Sequence, residues 1–196
     1  MAVECSISHI VFLSVQGVEK SKIIPHHKIE KLILESKIGY TFLRPAYFMQ
    51  NFTTTLRHDL VQNKRIFLPA GSSKFTLVDV ADVGEVAAKV LIEPLKHLNQ
   101  IYELTCNERL TFSQMAAELS KLLNTDIRYE SPSIAKFFLV KRKERMPTML
   151  TVVMIMLHYL PRFQKEPAIS DCVKQITGHQ PNTFGQFIVE NRENLR

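Results

Sequence analysis

The chain has 196 residues, 45% of them hydrophobic and 22% charged, with a formal net charge of +6. That length suits one domain or one and a half with a sizeable core, and the composition excludes disordered, fibrous and collagen-like classes. The basic residues are dispersed apart from Lys141-Arg142-Lys143-Glu144-Arg145, Trp is absent, and the aromatics do not interleave with that run; it reads as a solvated helix face, with no nucleic-acid partner expected.

The first residues, MAVECSISHIVFL, carry Glu4 and no basic segment ahead of the apolar run, so no targeting signal is read and a cytoplasmic location is expected. Ile10–Leu13 is continuously apolar, as in a strand buried on both faces of a parallel sheet. The polar stretch 14–24 is a loop. Pro25 suits a first helical turn, and Ile29, Leu32, Ile33 and Ser36 recur at helical spacing with Lys28, Lys31 and Glu35 outside. Gly39–Pro45 is the next strand, ended by a proline that cannot donate to a ladder. Two strands joined by a helix of this length make a right-handed crossover and lie parallel and adjacent.

Further along, Phe48, Phe52, Leu56 and Leu60 predict a helix over 48–63, and Ile66–Pro69 and Phe75–Val78 predict short extended pieces. Asp79 or Asp82 caps a helix whose Val83, Val86, Ala87 and Val90 face inward. Ile101–Thr105 alternates like a half-exposed strand, and Thr111-Phe112-Ser113-Gln114 has the form of a capping box. After a last short strand at 127–130 the chain reads as helical with proline breaks. A boundary falls near residues 106–111, dividing 1–108, part of a Rossmann-like sheet, from a mainly helical 109–196.

The most apolar segment, Met149–Leu157, is far shorter than the roughly 20 residues of a membrane span. Cys5, Cys106 and Cys172 are widely spaced and form no Cys-x-x-Cys, which fits reduced thiols. The six glycines, at 17, 39, 71, 84, 178 and 185, contain no G-x-G or G-x-x-G spacing, so no strand-to-helix turn offers its amides to a pyrophosphate. No Tyr-x-x-x-Lys pair is present, because Tyr40 is followed four residues on by Arg44 and opens a strand. His26 and His27 lack further ligands at i+3 or i+4, so no metal is expected; a helix start leaves a neutral imidazole available to a hydrogen bond or a ligand. Ser14 ends the first strand and Arg44-Pro45-Ala46-Tyr47-Phe48 ends the second. In parallel neighbours these ends converge where doubly wound sheets bind ligands, with Asn51 following.

The stretch 25–51, PHHKIEKLILESKIGYTFLRPAYFMQN, resembles the NmrA-like family of atypical short-chain dehydrogenases, whose pattern runs P-H-x-K-(I/V)-E, then S-G-(I/L)-x-Y-T-x-L-R-P-x-x-F-M-x-N. HIVFLSV at 9–15, FTLVDVADVGEVA at 75–87, IYELT at 101–105 and TGHQPNTF at 177–184 are similar to other parts of that family. The resemblance implies a doubly wound Rossmann-like α/β fold with a small helical domain, NADP or NAD as cofactor, and either an oxidoreductase acting on a small carbonyl or quinone or a non-catalytic cofactor-sensing module. It assigns Ser14, Val15, His26, Pro45, Ala46, Tyr47 and Phe48 to the cofactor and His27 and Asn51 to the substrate.

The family's glycine-rich loop and first strands would precede residue 1, so the chain reads as truncated. Related short-chain dehydrogenases place a Tyr and a Lys four apart ahead of the Glu that matches Glu30; by that register the positions are Lys22 and His26, and no catalytic residue is assigned. Weak or absent dinucleotide binding by the chain alone is expected, together with self-association through the exposed edge of the first strand. Docking on an anionic membrane through Ile134–Tyr159, where the KRKER run flanks an apolar helix, is a third reading. It is set against the helix being apolar all round, which reads as buried.

Overall fold

The computed structural model describes residues 7–20, 22 and 24–196; Cys5 and the start of the chain lie outside the described residues. In chain order the elements are β1 (His9–Leu13), α1 (Pro25–Glu35), β2 (Gly39–Pro45), β3 (Tyr47–Phe48), α2 (Arg57–Asn63), β4 (Arg65–Phe67), β5 (Lys74–Val78) and α3 (Val80–Ile92). They continue with β6 (Gln100–Leu104), β7 (Arg109–Thr111), α4 (Phe112–Leu123), β8 (Arg128–Glu130), α5 (Ile134–Lys143), α6 (Thr148–Tyr159), α7 (Cys172–Thr177) and α8 (Phe184–Glu190). Two compact units interleave along the chain. The first is built from the described parts of Met1–Phe48 with Thr76–Glu108 and Ile169–Thr183, the second from Met49–Phe75, Arg109–Ala168 and Phe184–Arg196. The expected boundary at 108/109 is one of the points at which the chain passes between them.

In the first unit β1, β2 and β6 form a sheet in the order β1-β2-β6, every pairing parallel. The register runs from His9 opposite Gly39 to Leu13 opposite Leu43, and from Thr41 opposite Gln100 to Pro45 opposite Leu104. The parallel, adjacent pairing expected for β1 and β2 is therefore present. Gly39 is required by close approach: a Cβ there would run into Leu98 Cδ1 and stand 2.8 Å from the Ser8 carbonyl oxygen.

Leu43, Val78, Val83, Val86, Val90, Leu104 and Val173 make the buried core of this unit, each contributing about 1.5–3 kcal/mol by leaving water. α3 starts where the sequence predicts, with the Asp79 side chain accepting from Ala81 N at 2.9 Å.

Two expectations are corrected here. β1 is not covered on both faces but is half-buried at the end of its sheet, with Leu13 49% exposed; an apolar run specifies apolar side chains and leaves the neighbours open. α1 turns Glu30 and Ile33 inward, while Leu32 is 65% exposed. The partner of Glu30 explains the rotation: Arg44 in β2 holds its carboxylate through two hydrogen bonds, Nε to Oε1 at 3.0 Å and Nη2 to Oε2 at 2.7 Å.

The second unit is held by aromatic packing. Ring centroids of Phe52 and Phe184 lie 4.9 Å apart, those of Phe75 and Phe112 5.0 Å, and β4 runs parallel to β8 with Ile66 opposite Tyr129. The single helix expected over 48–63 is broken into β3, a 3-10 turn at Met49–Phe52, and α2. Phe52, Leu56 and Leu60 are buried as their spacing demands, but the Thr53 and Thr54 hydroxyls both donate to the Gln50 carbonyl, at 3.0 and 2.8 Å, which competes with the helical ladder. The capping box at α4 is complete, with Gln114 N donating to Thr111 Oγ1 and Thr111 N to Gln114 Oε1.

α6 also differs from expectation. Of its residues only Thr151, Met154 and His158 are buried, so the helix presents a second apolar stripe outward. Among the described residues no helix is long and apolar enough to cross a membrane.

Candidate functional site

Parallel pairing with little stagger sets the carboxyl ends of β1, β2 and β6 in a row, and the ladder continues beyond the strands. Ser14 N donates to Leu43 O at 2.7 Å, Gln16 N to Pro45 O at 2.9 Å, Ala46 N to Leu104 O at 2.9 Å and Cys106 N to Leu77 O at 2.6 Å. The loops that leave the strands are thus held by backbone as well as side-chain bonds. Gln16 does most to fix them: its amide nitrogen donates to Glu103 Oε2 at 3.0 Å and its amide oxygen accepts from Thr76 Oγ1 at 2.7 Å.

Against this satisfied network stands Ser14. The residue is 4% exposed and, among the described residues, its hydroxyl has no hydrogen-bond partner. A buried polar group left unpaired costs about 1–3 kcal/mol, and such groups concentrate where a ligand supplies the missing partner.

Arg44 lies one residue before the end of β2. Besides its fork on Glu30 it donates Nη1 to Glu19 at 3.2 Å, and the Glu30 bond, the largest influence, holds the guanidinium above its ordinary pKa against the opposing effect of burial. The clamp ties α1 to β2 just below the strand end. It also forms one wall of an open depression of ≈ 310 Å³ lined by Glu19, His27, Glu30, Lys31, Leu34 and Arg44.

The neighbouring histidines go to different surroundings. His27 lines that depression, whereas the His26 ring centroid lies 6.1 Å from that of Phe12 in β1. Among the described residues no group of three or more His, Cys, Asp or Glu could hold a metal.

Of the residues singled out from the sequence, the structure brings Ser14 and Val15 to the same sheet edge as Pro45, Ala46, Tyr47 and Phe48. Pro45 is buried, Ala46 and Phe48 pack on the apolar core, and Tyr47 and Phe48 pair in parallel with Leu77 and Val78. His26 is placed at the start of α1 against Phe12. Asn51 belongs to the second unit, where its carbonyl accepts from Leu56 N at 2.8 Å.

Sequence reasoning missed Gln16, Thr76 and Glu103. Their signal is a polar side chain just past a strand end together with polar residues inside strands that otherwise bury apolar ones.

A second group was also missed. Asp82, buried and pushed above its ordinary pKa chiefly by that burial, accepts from Asn182 N at 2.9 Å, while Asn182 Nδ2 reaches Asp79 Oδ2 at 3.4 Å. Both ring nitrogens of His179 face acceptors, the Gln180 carbonyl and Glu85 Oε2, each at 2.8 Å, which raises its pKa. These contacts fasten the 179–182 loop to the first turns of α3. Every polar atom they involve has a partner inside the protein, so the group reads as structural.

The sequence profile of the NmrA-like family matches residues 1–174. Prestalk A differentiation protein A of Dictyostelium discoideum is 30% identical over 197 residues, covering 97% of this chain and 62% of that protein. NAD(P)H azoreductase of Xenophilus azovorans is 27% identical over 158 residues, covering 81% of this chain and 54% of that protein. The chain therefore spans between about half and two thirds of the length of these curated relatives. The crystal structure of an NADPH-dependent quinone oxidoreductase from Escherichia coli superposes with a TM-score of 0.84 at 22% identity, covering 96% of this chain and 69% of that one, a likeness of fold.

Proposed function

The chain belongs to the NmrA-like family, and from that premise we propose that it forms the nicotinamide-side wall of an NAD(P)H-dependent oxidoreductase acting on a small carbonyl or quinone. The observation that carries this reading is the buried Ser14 hydroxyl without a partner, at the carboxyl edge of a parallel sheet, where folds of this kind bind their ligands. A ligand accepting from it relieves a desolvation cost that the protein leaves standing. The azoreductase relative and the quinone oxidoreductase of like fold agree with this class of chemistry.

The groups present suit one end of a dinucleotide. Ser14 donates to the ring substituents, Val15 with Pro45–Phe48 supplies an apolar wall that excludes water, His26 borders it from α1, and Gln16 keeps the β1 loop from relaxing. A reduced nicotinamide bound there supplies the hydride. His27, in the depression beside Arg44, is assigned to the substrate side. Asn51 is assigned to the substrate side on the resemblance alone. Nothing in the sequence resembles a pyrophosphate cradle, so affinity for NADPH weaker than micromolar is expected.

Quinone-dependent oxidation of NADPH by the purified chain, with calorimetric titration in parallel, tests the reading. Turnover that falls about tenfold in Ser14→Ala, the worth of one hydrogen bond, is the expected result. Turnover indifferent to Ser14, or no binding of NADPH or NADH at millimolar concentration, overturns it. Micromolar binding overturns the statement about the missing cradle. A cofactor-sensing module without turnover is the second reading, favoured by Lys22 and His26 standing where related short-chain dehydrogenases place Tyr and Lys; binding without NADPH consumption selects it.

A further inference from the structure

α6 carries two apolar stripes. Thr151, Met154 and His158 face the interior of the second unit. On the opposite side Met149, Val153, Met156 and Leu160 recur at the i, i+4, i+7, i+11 spacing of a helix face, with Val152 and Leu157 beside them, and every one of these is exposed, Met149 to 75%. Phe163, in the 3-10 turn that follows, is 73% exposed. A soluble chain seldom leaves a continuous apolar surface of this kind uncovered unless something docks on it.

Charge indicates what docks. Between Ile134 and Lys165 the sequence has seven Lys or Arg and a single Glu, a balance of +6, so the rest of the chain is formally neutral and the whole net charge of +6 resides in this one segment. Lys141 is buried and paired with Asp59 and Glu144. The other six, Lys136, Arg142, Lys143, Arg145, Arg162 and Lys165, are exposed, and none forms a salt bridge among the described residues.

Exposed cations without an acidic partner, flanking in sequence an exposed apolar stripe, are the composition of a helix that lies in the plane of an anionic bilayer, its apolar face among the acyl chains and its long basic side chains reaching the headgroups. A second copy on the same face would set like charge against like charge. We propose that α6 and the turn after it are a peripheral docking face for an anionic lipid bilayer. Neither part of this signal reads as membrane binding alone. The helix is too short to span, and the basic run by itself is a solvated face.

Sedimentation of the full chain with vesicles tests the proposal. The chain is expected to co-sediment with vesicles containing phosphatidylserine, to stay in solution with pure phosphatidylcholine, and to be released progressively as salt is raised. Met156→Glu and Val153→Glu, both at exposed positions, should abolish binding while the thermal unfolding curve stays in place. Lys143→Gln and Lys165→Gln should each weaken it about fivefold.

Absence of binding to phosphatidylserine vesicles overturns the proposal, as does equal binding to neutral vesicles or undiminished binding by Met156→Glu. A dimer in light scattering that Met156→Glu dissolves, without any vesicle binding, assigns the face to a second copy and also overturns it.

Discussion

Both units set a cation among carboxylates, Lys141 buried and Arg44 half-buried, and they use it differently. In the second unit Lys141 is enclosed by the Phe67 and Phe137 rings, donates to Asp59 and Glu144, and Asp59 accepts in addition from Asn63 at 2.9 Å and Arg65 at 3.1 Å. Burial alone would push the Asp59 carboxyl up, and the bonds from Lys141, Asn63 and Arg65 outweigh it and hold it below its ordinary range. In the first unit the Arg44 fork orients a helix beside a strand end, and a few residues away Ser14 is left without a partner. The Lys141 cluster is complete within itself, whereas the Arg44 clamp lies near the unpaired Ser14 hydroxyl of the proposed site. A buried ionic network is costly to break where it is complete.

The largest test of that contrast is Lys141→Met. It leaves Asp59 buried beside Arg65 alone among the cations and should cost about 3–5 kcal/mol in denaturant unfolding; a loss below about 1 kcal/mol would show the cluster to be dispensable. Acid should act on the same unit. Burial lowers His158 to about 4, although its bond to the Met154 carbonyl opposes the shift. Because the folded pKa lies below the ordinary value of about 6.5, this contribution is complete above pH 6.5 and is lost as the pH falls toward 4, about 3 kcal/mol in all. Asp59, also depressed, adds loss in the same direction at lower pH. In the first unit Asp82 and His179 are both raised, so their contributions are complete at low pH and fade as the pH rises through their folded values. Unfolding measured from pH 7 to pH 4 in His158→Phe, which should flatten the acid loss, separates the two trends.

Arg44→Lys ranks next. A point charge cannot reproduce the two-pronged bond to Glu30, and a loss of about 1–2 kcal/mol is expected by thermal unfolding. Ser14→Ala comes last. Because the hydroxyl has no partner, removing it should leave stability unchanged or raise it by up to about 1 kcal/mol while lowering ligand binding. A destabilised Ser14→Ala would mean that the hydroxyl serves the fold and would erase the distinction between the two units.

Much of the first unit can be read without coordinates. An apolar run, a helix opening on proline and a strand closing on proline suffice for a parallel pair, and the positions of Ser14 and of Pro45–Phe48 at one edge follow from that pairing. The inward turn of Glu30 was not readable, because its partner Arg44 lies fourteen residues away in another element, and helical periodicity ranks a Glu among the solvent-facing residues. The orphaned state of Ser14 was equally hidden: a hydroxyl's lack of partners depends on everything packed around it. The helix expected over 48–63 failed for a local reason that composition did suggest, the run of threonines whose hydroxyls bond back to Gln50.

The sequence by itself determined what is settled within a few residues: the Asp79 cap, the Thr111–Gln114 box, the parallel neighbours β1 and β2 and, through the 25–51 stretch, the family. Each depends on short-range hydrogen bonds, fixed backbone angles or periodicity, all of which act on adjacent residues. Only the tertiary structure decided that two units interleave along the chain, that Lys141 sits in a closed ionic cluster while its basic neighbours remain outside, and that α6 turns a second apolar stripe to the surface. A helix that is apolar all round declares no preferred inner face, so which side it buries is set by neighbours brought from distant parts of the chain.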